Sequence, residues 1–199
     1  MKKIIITFSL IFFSIFGFSQ KITNENFENK FSQLLENLGK ENWKDSEKLC
    51  SDLLEFTEPI PELDTEKKVL RYMFIYSTAG LLNEKKLSKE EALKRTIHLK
   101  DKQMIMPAHP FKSNCFVNCT QITDEDKNTF FSGVNNSKGT QIFSFEYVNI
   151  KNGIKETKDQ LEGKFIVLKG TLNEISVDGN ILPRFKLKFI EGEYDFVEN

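Results

Sequence analysis

Histidine, tryptophan and cysteine are scarce in this chain: 199 residues hold two His, one Trp and three Cys. Two His leave little material for His-based acid–base catalysis or a His-rich metal site. An excess of either charge is also missing, since 28 Lys+Arg meet 29 Asp+Glu for a net charge of −1, so the composition gives no reason to expect a nucleic-acid partner. Small imbalance together with 39% hydrophobic residues excludes a disordered or collagen-like chain. There is no G-x-S-x-G and no Ser with a recognisable His and acid, so nucleophilic hydrolysis has no motif behind it. What the chain has in excess is phenylalanine, with 19 copies.

Five of those Phe fall in the first twenty residues. Lys2 and Lys3 precede an apolar stretch from residue 4 to 16, and Gly17 and Ser19 are small residues at −3 and −1 of a cut before Gln20. This pattern predicts a cleavable secretory signal over residues 1–19. The stretch is shorter than the ~20 apolar residues that span a bilayer, so no integral span is expected in the mature chain. The expected location is exported, periplasmic or extracellular. Export permits disulfides, but three Cys is an odd number. Cys115 and Cys119, four apart in a segment that reads as a strand, would stand about 13 Å apart, beyond disulfide reach unless the chain turns. Both read as packing residues, and Cys50 as a small apolar residue on a helix.

Residues 20–106 form a predicted helical region of about four helices. Phe27, Phe31, Leu34, Leu35 and Leu38 share one helix face, with Gly39 as the stop. Trp43, Ser46, Leu49, Cys50, Leu53 and Phe56 form a second stripe that ends before Pro59 and Pro61. Residues 65–83 are apolar nearly all round, which predicts a central helix. Ser88 with Glu91 three residues on is a capping box, flanked by Leu87 and Ala92 as a staple. Sliding the first pair onto the second by about 44 residues matches Leu38 with Leu82 and Trp43 with Leu87. The run "YSTAGLLNEKKLSKEEALKR" resembles a tetratricopeptide-type helical hairpin, which implies a concave protein-binding surface; the alternative is a plain four-helix cap.

Residues 107–199 switch to period two and predict a small antiparallel β barrel or sandwich, so the fold class expected is α+β. Strands are expected at residues 114–122, 129–134, 141–150, 164–177 and 181–190, with a further one at 193–197. Phe143, Phe145 and Tyr147 alternate with Ile142, Ser144 and Glu146, and Phe185, Leu187 and Phe189 with Arg184, Lys186 and Lys188. Each set gives one inward and one outward face. Asp178, Gly179 and Asn180 predict a tight hairpin, and Pro183 makes its second arm an edge or a bulged strand. A second turn is expected at residues 135–139. The run "LEGKFIVLKGTLNEISVDG" resembles an OB-fold hairpin, as a late or permuted element. Together "RYMFIYSTAGLLNEKKLSKEEAL" and "KGTLNEISVDGNILPRFKLKF" are similar to small exported envelope proteins of the Bacteroidota with no assigned activity.

Candidate sites are few. "GVNNSKGT" lacks the P-loop order, because Lys138 precedes Gly139 and a strand follows. His109, Cys115 and Cys119 approach a metal-ligand spacing without a paired C-x-x-C, and His98 reads as a surface or boundary residue. Asp124, Glu125 and Asp126, and Glu191, Glu193 and Asp195, lack the spacing of a calcium loop. No catalytic, cofactor or metal residue is therefore assigned. The binding surface expected is the basic stripe Arg184, Lys186 and Lys188, together with Phe130 and Phe131, adjacent aromatics that cannot face the same way on a strand, so that one should be exposed. These features predict an exported, non-enzymatic interaction protein of the cell envelope, whose partner is a protein or an envelope polymer. The competing reading is an envelope hydrolase whose carboxylates, such as Asp124 and Glu191, meet only in three dimensions.

Overall fold

The computed structural model describes residues 22–197. The signal expected at residues 1–19 lies outside them. Four helices come first: α1 (Phe27–Gly39), α2 (Trp43–Thr57), α3 (Asp64–Asn83) and α4 (Lys89–Thr96). Seven strands follow as β1 (Gln103–Ile105), β2 (His109–Pro110), β3 (Thr120–Ile122), β4 (Thr129–Asn135), β5 (Ile142–Ile150), β6 (Phe165–Asp178) and β7 (Arg184–Val197), with the single-turn α5 (Lys158–Leu161) between β5 and β6.

The helices form where the apolar periods require them. Helix α3 is buried along most of its length and packs on α2, α4, β1, β5 and β7. Helix α4 opens on the expected capping box: Ser88 Oγ accepts from the Glu91 N–H at 3.2 Å, and the Glu91 carboxylate accepts from the Ser88 N–H at 2.8 Å. The two hairpin turns repeat at the offset the sequence indicates. The N–H of Asn42 donates to the Asn37 carbonyl, and that of Lys86 to the Leu81 carbonyl, each at 2.9 Å. The left-handed residue of each turn is Glu41 and Lys85, both at φ 58°, rather than Gly39. The repeat fades toward the end of α4, where Ile97 is exposed although its counterpart Leu53 is fully buried. Leu35 likewise leaves the α1 stripe for solvent.

The sheet is mixed and open, which corrects the expected antiparallel barrel or sandwich. Its order is β1-β6-β7-β5-β4-β3, with β2 also on β6. Every pairing is antiparallel except β5 with β7, which is parallel. The β6–β7 hairpin turns at Gly179, whose φ of 84° meets the need for a positive-φ residue. Pro183 lies just before β7, outside the ladder, so β7 is a central strand rather than an edge. Its bulge sits instead near Glu191, at φ 52°, where the register with β6 shifts.

One face of the sheet carries the helices, and a single apolar core runs through both parts of the chain. At their meeting point Trp43 of α2 makes edge contacts with Tyr76 of α3 (5.4 Å between ring centres) and Phe143 of β5 (5.2 Å). A bulge opposite Val134 and Asn135 turns Phe143 to the helix side. Beyond it, Ser144 and Glu146 face the helices, whereas Phe145 and Tyr147 face out. The expected assignment of aromatics inward and Glu146 outward on β5 is therefore reversed after the first residue pair.

Segment 114–119 is no strand; only Thr120–Ile122 pairs with β4. The chain turns through Asn118 (φ 55°) and brings Cys115 and Cys119 to 6.3 Å between Cα atoms, where they form a disulfide. The strand geometry that kept them apart in the sequence reading does not apply to a turned segment. Cys50 is the free, buried cysteine.

Candidate functional site

On the outer face of the sheet, Arg184, Lys186, Lys188 and Phe131 come together. The Arg184 guanidinium lies 4.7 Å from the centre of the Phe145 ring, and the Lys186 ammonium 5.8 Å from that of Tyr147. Lys188 pairs with Glu174 at 2.7 Å. These cations cap an aromatic patch and answer one acid, as a solvated sheet face commonly does. Phe130 is not part of this surface. It is fully buried on the helix side against Phe111 and Tyr194.

The expectation that one of the two aromatics is exposed is not met. Phe131 faces outward yet is only 7% exposed, because Phe116, Phe145 and Tyr147 surround it. Phe116 comes from the disulfide loop and is itself 57% exposed. The loop sits this close to the sheet because Gly133 of β4 has no side chain, and a Cβ there would overlap the Phe116 carbonyl.

The more enclosed feature is a cavity of about 500 Å³ between α1, α3, the β1–β2 segment and the end of β4. Leu38, Met73, Tyr72, Tyr76, Met106 and Val134 form much of its wall, and no Asp, Glu, Lys or Arg lines it. Its size and apolar lining match those of small-molecule sites. Three amide or imidazole side chains interrupt the wall: Asn118, Asn135 and His109. His109 Nε2 and Asn135 Oδ1 are buried without a hydrogen-bond partner among the described residues. Burial holds the His109 pKa below its ordinary value, which keeps the ring neutral at pH 7. Asn118 reaches the cavity from the disulfide loop, where its N–H donates to the Gly133 carbonyl at 2.7 Å.

Behind Tyr72 lies a buried carboxyl. Glu146 Oε1 accepts from the Tyr72 hydroxyl and from the Ser144 hydroxyl, each at 2.8 Å. Burial pushes the Glu146 pKa up to about 7, and the two hydroxyl bonds act against that rise. Burial and the carboxyl together push the Tyr72 phenol upward. Tyr76 is pushed to about 12, chiefly by burial, and its hydroxyl donates to the Asn135 carbonyl at 3.3 Å.

The pocket and Glu146 were not legible as a site in the sequence. Ser144 and Glu146 read as an outward face because aromatics at alternate positions read as inward. The signal available was His109 beside Pro107 and Pro110, a polar residue in an apolar linker.

Other expected residues stay apart from the cavity. Asp124 is almost wholly exposed, 3.7 Å from Lys158. Glu191 pairs with Lys151 at the surface. His98 is exposed with its ring 6.0 Å from that of Phe74. No group of three or more His, Cys, Asp or Glu is placed to hold a metal ion among the described residues, and no helix there is long and apolar enough to cross a membrane. Comparison with protein-family models, with curated proteins and with solved structures finds no match.

Proposed function

We propose that this chain is an exported, non-enzymatic binding protein of the cell envelope, and that it holds a small, mostly apolar molecule in the cavity between the helices and the sheet. The observation that carries this reading is the cavity of about 500 Å³, lined by Met, Tyr and aliphatic side chains and free of charged ones. The Cys115–Cys119 disulfide fits an oxidising compartment, in agreement with the signal pattern of residues 1–19. A hydrolase with paired carboxylates has less support. Asp124 and Glu191 project into solvent, and the one carboxyl whose pKa is raised among the described residues, Glu146, has two hydroxyls on its oxygen rather than a second acid beside it.

The test is titration of the purified protein with the uncharged fluorophore N-phenyl-1-naphthylamine. Saturable binding at one site is expected, with at least a tenfold loss in Ala108→Trp, which places an indole in the cavity wall. Absence of saturable binding, or binding that Ala108→Trp leaves unchanged, would remove the pocket reading. The export half is checked separately by the mass of the protein recovered from its native cells, expected to start at Gln20.

A further inference from the structure

The chemistry of the cavity wall narrows its ligand class, an inference that rests on the pocket reading above. We infer that the site selects an uncharged amphiphile, an apolar chain or ring bearing a single hydroxyl or amide N–H, and discriminates against the carboxylate of the same chain.

Two arguments support the choice. The first is charge. No basic side chain lines the cavity to pair an anion, and no acidic one to pair a cation. An ion entering this wall would lose its hydration without a counter-charge, which costs several kcal/mol even after relaxation. The carboxyl of Glu146, one side chain behind Tyr72, makes the surroundings still less favourable to an anion.

The second argument is the balance of donors and acceptors. The hydroxyls of Tyr72 and Tyr76 are already donated, to Glu146 and to the Asn135 carbonyl. What is left unmatched is Asn135 Oδ1, an acceptor, and His109 Nε2, which accepts in one neutral tautomer. Both atoms are buried and both residues line the cavity, which makes a molecule held there the candidate partner. Rotation about χ2, a broad torsion for Asn and His, is the motion that would turn either atom toward the cavity. A ligand hydroxyl or amide N–H supplies the missing donor. A methyl ether or a plain hydrocarbon does not, and it leaves a buried acceptor unpaired.

The experiment is displacement of N-phenyl-1-naphthylamine by decan-1-ol, its methyl ether and decanoate at pH 8. Decan-1-ol should displace the probe at a concentration at least tenfold below that needed for either of the other two. In the variants Asn135→Leu and His109→Phe the advantage of the alcohol over the ether, read as the ratio of their displacing concentrations, should fall toward one. Equal competition by all three ligands, with the probe still binding, would overturn the donor-bearing neutral ligand and leave the pocket standing. Decanoate competing better than the alcohol would reverse the charge argument. A protein that never binds the probe takes both readings down. The ligand series on the unaltered chain decides the matter even where a variant fails to fold.

Discussion

At the scale of single residues, Glu146 is the group with most at stake. Its carboxyl is 2% exposed, inside a wall of apolar side chains, and its pKa stands near 7 against the ordinary 4.5. The protonated form is favoured in the folded state, so its stabilising effect is fully present below about pH 4.5 and is lost as pH rises to about 7. The full loss is on the order of 3 kcal/mol. Glu146→Gln keeps an oxygen for the Tyr72 and Ser144 hydroxyls and removes the titration. The difference in unfolding free energy between parent and variant, measured by urea denaturation from pH 4 to 8, should therefore grow in favour of the variant across that window. The carboxylates with lowered pKa, the half-buried Asp126 and the exposed Glu174 among them, are common to both proteins, so they cancel in the difference. A flat difference would show that Glu146 is hydrated.

At the scale of elements, the helices follow local rules and the sheet follows global ones. The capping box at Ser88, the all-round apolar α3 and the Gly179 turn were legible because each depends on residues within a few positions. The parallel β5–β7 pair was not, since which strands become neighbours depends on the whole chain. The face of Glu146 was lost for a related reason: aromatics at alternate positions mark a covered face, but the outer face of this sheet is covered too, by Phe116 and by its own cations. The Cys115–Cys119 bond was missed because a segment read as a strand turned.

The α2–α3 contact offers a test at this scale. Gly80 lies against the indole of Trp43, and a Cβ there would overlap the ring. Gly→Ala in an open helix gains about 1 kcal/mol. Here Gly80→Ala should instead destabilise by about 1 to 3 kcal/mol, read as a lower urea midpoint. A higher midpoint would mean that the indole moves aside freely.

At the scale of the whole molecule, helices and sheet share one core. Trp43, Tyr76 and Phe143 link α2, α3 and β5, and the Tyr72 hydroxyl reaches across to Glu146. Such a core unfolds as one unit. Trp43 fluorescence, which reports the junction, and far-UV circular dichroism, which reports backbone structure, should give coincident urea transitions. Separated midpoints would show that the helical part and the sheet unfold independently. The 19 Phe then have their account: five lie in the stretch read as a signal, several fill this core, and Phe116, Phe131 and Phe145 form a second aromatic cluster on the outer face.

The position of β7 bears on how the protein is made. It is the last strand among the described residues and lies between β6 and β5. Until residues 184–197 are in place, the strands form two groups, β1, β2 and β6 on one side and β3, β4 and β5 on the other, joined only by the isolated bridge between Phe111 and Thr120. Completion of the sheet therefore waits for residues 184–197. On the export reading proposed above, a chain threaded N-terminus first through a narrow channel has no complete sheet until residues 184–197 are through.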